Sequence, residues 1–443
     1  MKFSRDNLIR NSILLFVFSI PFGMKKFLFD FPTPFKNFYT SEYTSAFLYE
    51  SDILFLLFFL LLFFSRPLSW WREKLSKFKM PLLFLALFLI FSAFSLIFAG
   101  YSFFGIYSFG RLALGILSAL AIGAALRDNI VRFKEIAVVI SVAAVLESVI
   151  GFLQFALQKS AGLWFLGETV FNSDTPGIAR IVVNGLKLAR AYGTMPHANI
   201  LAGFLVLGLL SLFYLLIKEE KSSLRIIQST GIFVVLAGLL VTFSRSGWIT
   251  AALAALVFII WELFADKERR RKIIYLMSLL VVVSCSLLIV LSWVIFPRAN
   301  FSASEAPVAD RWSYNKLGLE LIISHPLGVG IGNELFYAYH NGFFEKYDVN
   351  SLGQWQPIHN LYLMIGTETG ILGLVSFIVF ITLLLLGVFR VFSSEFLVPC
   401  IMLFALLAFG LFDHFLWDLQ LGRLMLWVTI GILLGMAQDK NPA

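Results

Sequence analysis

Residues 230–260 read TGIFVVLAGLLVTFSRSGWITAALAALVFII, which is two apolar runs interrupted around Arg245. Each run extends beyond the quoted stretch, over about 226–243 and 247–264, and is long enough to cross a bilayer as a helix. Because the gap between the runs is so short, we expect two antiparallel neighbouring helices with Arg245 at their tip. A guanidinium is costly at such a place unless an anion or a buried polar group receives it, so Arg245 is a candidate functional residue.

The composition of the whole chain excludes a soluble protein. Hydrophobic residues make up 59% and charged residues 14% of the sequence, and the mean hydropathy is +0.86. Because lipid offers the backbone no hydrogen-bond partners, long apolar runs must be helices. We predict an all-α integral membrane protein, a single polytopic membrane domain over 1–443 with about twelve transmembrane helices. The predicted spans are about 8–23, 46–64, 81–99, 109–126, 136–157, 195–217, 226–243, 247–264, 273–296, 361–389, 396–412 and 424–437.

The orientation follows from the basic residues. With a cytoplasmic N-terminus, most of the 35 Lys and Arg residues fall in short inner connections, so we expect both termini in the cytoplasm. The net charge of +8 is then explained by anionic lipid and does not indicate nucleic acid. A large extracytoplasmic loop, 297–360, would separate spans nine and ten. Within it, we predict an interfacial helix over about 311–324, capped by Asp310 and stopped by Pro326.

The first polar cluster precedes span six and reads RAYGTMPHAN from Arg190 to Asn199. If Pro196 occupies the first helical turn, the unpaired backbone N–H groups of that helix start lie beside Arg190 and form an anion site. In the alternative interpretation, Arg190 reaches the lipid headgroups and His197 only caps the helix.

The second cluster is Ser244-Arg245-Ser246-Gly247, where glycine permits either the sharp reversal of the chain or the close approach of another backbone. We favour an anion at Arg245, since the motif holds no counter-charge; the alternative is a structural arginine that binds helix-end carbonyls.

The third cluster, His359-Asn360, lies where the long outer loop returns to the membrane. A neutral imidazole near pH 7 accepts a proton from a hydroxyl, which suits a general base, although a single loop histidine is more often structural.

Other polar residues are weaker candidates. The glycine-rich stretch 325–333 has no strand–turn–helix context, so a turn or packing against the bundle is favoured over a nucleotide loop. The turn 413–423 fits either sugar binding or an interfacial aromatic belt. The candidate substrate-binding residues are His197, Asn199, Ser244, Asn360, Glu368, Arg311, Asp418 and Gln420.

Together, Arg190, Arg245 and His359 indicate a phosphorylated ligand presented from the lipid, because arginine matches phosphate bidentately and stays charged. No paired acidic motif indicates a divalent metal, so we predict no metal and no cofactor, with arginine stabilising the leaving group. The expected reaction is transfer from a lipid diphosphate to a hydroxyl, with His359 as the base.

The order of these motifs over about 190–375 resembles the O-antigen ligase/polymerase superfamily. The resemblance rests on the Arg190 segment, Ser244-Arg245-Ser246-Gly247-Trp248, the glycine stretch from His325, and His359-Asn360 with the later Glu368-Thr369-Gly370. It implies a metal-independent, inverting glycosyltransferase at the periplasmic face of the bacterial inner membrane. The donor would be a glycan on undecaprenyl diphosphate, and the acceptor lipid A–core or a growing polysaccharide. Arg190, Arg245 and His359 would be the catalytic set.

Two alternatives stay open. A polymerase that joins lipid-linked repeat units shares the same motifs, and we choose the ligase narrowly. A flippase or another transporter of lipid-linked oligosaccharide would need a polar path with charges deep in several helices. Here the charges lie mostly at helix ends, with Glu147 and Glu368 as the main exceptions, which favours an enzyme.

Overall fold

A computed structural model describes residues 5–34, 41–264, 267–299, 306–349, 355–390 and 393–436. Helices dominate. In chain order they are α1 (Arg5–Ser19), α2 (Glu50–Ser65), α3 (Leu68–Leu75), α4 (Lys79–Ser95), α5 (Ser102–Arg127), α6 (Phe133–Leu157), α7 (Ala198–Lys218), α8 (Ser222–Val241), α9 (Arg245–Leu263), α10 (Lys267–Ala299), α11 (Ala306–Ser324), α12 (Glu334–His340), α13 (Phe343–Lys346), α14 (Leu361–Arg390), α15 (Leu397–Phe409), α16 (Phe415–Asp418) and α17 (Gln420–Met436). The strands are β1 (Lys25–Asp30), β2 (Ser45–Tyr49), β3 (Arg180–Val183) and β4 (Leu186–Ala189), and they form two antiparallel hairpins, β1–β2 and β3–β4.

Long apolar helices confirm the membrane character of the chain. Among the described residues, eight helices are long and apolar enough to cross a membrane, or nine if the bent pair α2 and α3 is one span. Each of the twelve predicted spans overlaps a helix, but α15 and α17 are shorter apolar helices and α1 has only 15 residues. The predicted count of twelve is therefore not reached by length and composition alone.

The chain forms two compact units. The first comprises Met1–Met24, Ile130–Phe301 and Ser394–Phe409. At its centre is α7, whose apolar stretch is 94% buried because α6, α8, α9 and α15 all pack against it. Glycine makes this packing tight: a Cβ at Gly208 would lie 2.1 Å from Ala144 Cβ. Small residues of this kind let helices approach closely where no hydrophobic effect drives them together.

The second unit comprises Lys25–Asn129, Ser302–Ser393 and Gly410–Ala443. It is built on two helix pairs, α5 with α17 and α4 with α14. Glycines let the two helices of the first pair approach closely. A Cβ at Gly115 would lie 2.5 Å from Trp427, and one at Gly431 would lie 2.7 Å from the carbonyl oxygen of Ala119. The β1–β2 hairpin belongs to the same unit.

Helix α14 is interrupted at Gly370, whose φ of 77° and ψ of 175° are not helical. The glycine-rich stretch docks on this break. The amides of Val329 and Gly330 donate to the carbonyls of Thr367 (2.9 Å) and Glu368 (3.1 Å). These bonds use backbone groups that the break leaves without helical partners. The glycine-rich stretch therefore packs against α14 in the structure, which is the interpretation that the sequence favoured over a nucleotide loop.

Several local predictions were wrong. The predicted span 46–64 begins inside strand β2, and the two short hairpins mean that the fold is mostly rather than entirely helical. Helix α11 begins at Ala306, so Asp310 lies within the helix and does not cap it, although the helix does end before Pro326. Of the predicted loop 297–360, residues 300–305 and 350–354 lie outside the described residues, as do 1–4 and 437–443 at the predicted cytoplasmic termini.

Candidate functional site

Arg190 follows β4 and reaches two helix ends of the first unit. Its Nε donates to the carbonyl of Thr242 (2.6 Å) and its Nη2 donates to Asn199 Oδ1 (2.7 Å). The side chain is only 7% exposed. Arg190 therefore connects the start of α7 to the end of α8, which is a structural role in addition to any ligand contact.

The backbone after Arg190 is held by buried polar side chains of α6. Thr194 donates to Glu147 through its amide (2.8 Å) and its hydroxyl (2.6 Å), and Gln154 accepts from the amide of Gly193 (2.8 Å). Gly193 has φ +60°, and a Cβ there would lie 2.1 Å from Glu147 Oε2. Glycine is required at this position for both reasons.

The start of α7 differs from the prediction. The helix begins at Ala198, so Pro196 precedes its cap instead of lying in the first turn. His197 is the cap, and its Nδ1 accepts from the amide of Asn199 (3.1 Å). The alternative interpretation of His197 as a capping residue is thus the one that the structure supports.

The turn between α8 and α9 is sharp and unusual. Phe243 has a positive φ of 48°, a backbone conformation that is unfavourable for a bulky residue. Its side chain is completely buried, so packing holds the residue in this conformation. Ser244 caps α9 by accepting from the amide of Gly247 (3.3 Å). Gly247 itself is helical, and a Cβ there would lie 2.7 Å from Ala202 Cβ of α7. Another helix does come close at this glycine, but the neighbour is the side chain of Ala202 and not the backbone that was predicted.

Three arginines come to this turn from different elements. Arg245 is the half-buried first residue of α9. Arg190 binds the Thr242 carbonyl, and Arg298 of α10 donates from Nε to the carbonyl of Phe243 (3.3 Å). Arg190 and Arg298 thus both bind carbonyls at this turn. The turn is a concentration of permanent positive charge, which is the property an anion site needs.

The second unit holds His359. Its Nδ1 lies 2.9 Å from the carbonyl of Pro357, and because a carbonyl only accepts, this nitrogen carries the proton. Nε2 is then the nitrogen with the lone pair. The ring stacks on Tyr314 (centroids 5.1 Å apart, 13° between planes) and meets His414 edge-on at 4.8 Å. The imidazole is thus fixed in orientation and tautomer, as a general base requires.

His414 gives the two histidines opposite properties. Its Nδ1 lies 2.8 Å from Asp418 Oδ2. Burial alone would lower the pKa of His414, but the carboxylates of Asp418 and Asp413 together outweigh it and the pKa is raised. The pKa of His359 is lowered, first by burial and then by the positive charge of His414, with a smaller contribution from Arg311. A positive charge on the pair therefore favours His414, while His359 stays neutral near pH 7.

The other candidates of this unit have structural partners as well. Asn360 caps α14 by accepting from the amides of Tyr362 (3.0 Å) and Leu363 (3.1 Å). The Glu368 carboxylate accepts from Trp417 Nε1 (2.7 Å), and Gln420 donates to Asp52 Oδ1 (3.3 Å).

A cavity of about 50 Å³ lies within the second unit. It is bordered by candidates from the sequence, Glu368, Asp418 and Gln420, and by residues that the sequence did not single out, among them Tyr107, Arg111 and Glu334. Pro357, the hydrogen-bond partner of His359, also lines it. The cavity therefore lies next to the surroundings of His359, and several polar side chains border it.

The comparisons with known proteins agree with the motifs. Residues 230–378 match the family model of O-antigen ligase. Over this stretch the chain is similar to that family. The match confirms the resemblance to the O-antigen ligase/polymerase superfamily over a region that includes Arg245, Arg298, Glu334 and His359. A search of curated proteins found no match.

The matched region contains part of the candidate set. Arg190, His197 and Asn199 precede the matched region, and Asp418 and Gln420 follow it. In the structure, the first three join Arg245 and Ser244 in the first unit, whereas the last two lie in the second unit with His359, Asn360, Arg311 and Glu368.

Sequence reasoning missed four residues of these clusters: Arg298, Glu334, His414 and Arg111. A signal existed for two of them. Arg298 is a cation at the end of span nine beside Pro297, and His414 lies four residues before Asp418, the spacing that pairs side chains on one helical turn. Nothing in the sequence indicated that Arg111 or Glu334 would border a cavity.

Proposed function

We propose that this protein is an O-antigen ligase-type glycosyltransferase that moves a glycan from undecaprenyl diphosphate to an acceptor hydroxyl of lipid A–core. The observation that supports it most is the state of His359: neutral, with Nδ1 bound to the Pro357 carbonyl and Nε2 left as the proton acceptor. A hydroxyl nucleophile needs such a base at neutral pH.

In this reaction the acceptor oxygen forms a bond to the anomeric carbon of the glycan, and the bond from that carbon to the diphosphate oxygen breaks. The acceptor proton passes to Nε2 of His359. Undecaprenyl diphosphate leaves with the bonding electrons, and attack from the opposite side inverts the anomeric centre. No metal takes part in the proposal, since arginine stabilises the leaving diphosphate.

Arg190 and Arg245 are the proposed diphosphate ligands. Their support is the charge concentrated at the α8–α9 turn, where backbone carbonyls orient Arg190 and Arg298. A guanidinium presents parallel N–H groups that fit two phosphate oxygens, which an ammonium does not. We further propose that the protein lies in the bacterial inner membrane with these residues on the periplasmic side and both termini in the cytoplasm.

Purified protein in proteoliposomes, supplied with a lipid-diphosphate-linked glycan and lipid A–core, tests the proposal directly. We expect a glycan–core product in the presence of a chelator. The His359→Ala and Arg245→Ala proteins should give no product although they insert and purify normally. Product formation by both variants at the wild-type rate would contradict the proposed chemistry.

The same system separates the alternatives. Chains of several repeat units made without lipid A–core would indicate a polymerase, and sugar that crosses the bilayer without any product would indicate a transporter. The partners of Glu147 and Glu368, Thr194 and Trp417, favour the enzyme, because both intramembrane carboxylates are engaged in holding the fold. In cells, a deletion strain that loses all attached O-antigen supports the ligase, whereas loss of all but one repeat supports the polymerase.

A further inference from the structure

Glu334 is a buried carboxyl to which the proposed reaction gives no role. It is the first residue of α12 and is 1% exposed. The backbone amide of Ile358 interacts with its carboxyl, but by strict hydrogen-bond geometry neither carboxyl oxygen has a partner within the described part of the chain. A buried polar group in this state is costly, so a ligand that completes its hydrogen bonding would bind favourably.

The backbone before Glu334 is fixed in place. The stretch that leads to it docks on the break in α14, and Gly330 has φ +101° with a Cβ position only 2.6 Å from the Ala99 backbone. Asn333 accepts from the amide of Tyr101 (2.7 Å). The carboxyl is therefore held at the cavity by two independent contacts, on α14 and at the start of α5.

A second unsatisfied group borders the same cavity. Arg111 of α5 pairs with Asp52 through Nη1 (2.6 Å), but its Nη2 has no partner among the residues described. Arg111 is 7% exposed. The cavity thus offers a guanidinium donor on one residue and a carboxyl on another, and a hydroxyl group, which both donates and accepts, complements the two.

The protonation of Glu334 agrees with a neutral partner. Burial raises the pKa of Glu334 well above its usual range, and the nearby Glu368 carboxylate raises it further. A raised pKa favours the neutral carboxyl, which donates one hydrogen bond and accepts others and does not need a cation. The aromatic rings of Tyr107 and Trp417 also line the space, which suits the apolar face of a sugar.

We propose that this cavity binds the hydroxyl-bearing edge of a sugar residue of the acceptor, with Glu334 and Arg111 as its specific hydrogen-bond partners. About 10–15 Å³ suffices for one water molecule, so a cavity of about 50 Å³ admits a few hydroxyl groups and not a whole oligosaccharide. The acceptor is favoured over the donor because Pro357 and Asp418, which contact His359 and His414, line the same space. This inference rests on the proposed function.

The test compares Glu334→Leu, Glu334→Gln and, as a matched control, Glu345→Leu, which changes an exposed carboxylate of the same unit. Steady-state kinetics are measured with acceptor and donor varied separately. For Glu334→Leu we expect KM for the acceptor to rise about tenfold or more, the effect of leaving polar groups unpaired, with KM for the donor unchanged. Glu334→Gln keeps a donor and an acceptor and should stay within about threefold of wild type.

A binding measurement separates this inference from the proposed reaction. Saturation-transfer NMR with delipidated core oligosaccharide, and with no donor present, reports acceptor binding to the wild-type protein in nanodiscs. Binding that is lost in Glu334→Leu and kept in Glu345→Leu and Arg245→Ala supports the site, even if transfer itself fails. Equal binding by Glu334→Leu and wild type, or a change confined to KM for the donor, would overturn the inference. Should Glu334→Leu fail to fold, the same binding comparison is made with Glu334→Ala, and binding equal to that of wild type would overturn the inference.

Discussion

The two units of the molecule carry polar clusters of opposite character. In the first unit, the cluster consists of arginines oriented by backbone carbonyls at the α8–α9 turn, and its charge does not change with pH in any physiological range. In the second unit, the cluster consists of histidines and carboxyls whose pKa values are shifted by burial and by each other. The first is suited to holding an anion, and the second to moving a proton. Group transfer from a diphosphate to a hydroxyl requires both properties.

The largest expected effect is in the second cluster. His359→Ala should lower transfer by about 10²- to 10⁴-fold, the usual contribution of a general base. His340→Ala is a matched control, since His340 is an exposed histidine of the same unit. The initial rate of glycan–core formation measures both. If the control loses as much activity as His359→Ala, the assignment of His359 as the base fails.

The second-largest loss of transfer activity is expected for changes at Arg245. Arg245→Ala is expected to lower transfer by about 10²- to 10³-fold, as when one group that stabilises a leaving charge is removed, and Arg245→Lys should recover little because lysine lacks the bidentate fork. Arg271→Ala removes an exposed arginine of the same unit and should be nearly silent. Full activity of Arg245→Lys would show that charge alone is enough.

The pH dependence of kcat/KM sharpens the contrast between the clusters. Because the pKa of His359 is lowered by burial and by His414, its neutral form persists below the usual value of about 6.5, and the acid limb of the profile should lie below that pH. Replacing His414 with Asn removes its positive charge, so the limb should move to higher pH. Arg245→Ala should leave the limb where it is. A limb that stays unmoved in His414→Asn would argue against coupling of the two histidines.

Stability should depend on the same pair. The pKa of His414 is raised by Asp418, so its stabilising contribution is complete below the unfolded pKa of about 6.5 and is lost as pH rises through the folded value. In wild type the lowered pKa of His359 acts in the opposite sense over this range, so the expectation concerns His414 alone. Replacing His414 with Asn should lower the unfolding temperature more at about pH 6 than at about pH 8, so the difference between variant and wild type should change with pH. An unchanged difference would contradict this reading of the pair.

The smallest effect is expected at Arg298. Arg298→Gln removes a hydrogen bond to the Phe243 carbonyl and should destabilise the protein by about 1 kcal/mol, the typical net value of such a bond. A modest loss of transfer should accompany it, because the turn that carries Arg245 would be less well ordered. Thermal unfolding together with the transfer rate gives both numbers. A loss as large as that of Arg245→Ala would place Arg298 among the diphosphate ligands.

The sequence by itself determined the membrane class, the positions of most helices and the family, because apolar runs and ordered motifs are local properties of the chain. It also indicated Arg190, Arg245 and His359 from residue type and position. It placed Pro196 and Asp310 wrongly, since the exact start of a helix depends on competing caps that differ little in free energy.

Only the tertiary structure decided which residues share a cluster. His414 acquires its significance from a ring of His359 that lies 55 positions away in the chain, and Glu334 from the break of α14 on which its loop docks. Burial and neighbouring charge shift a pKa over a few ångströms, and these distances are set by packing between elements far apart in sequence. The chemistry that each residue can perform therefore follows from its own side chain, whereas the fold determines which residues are its neighbours.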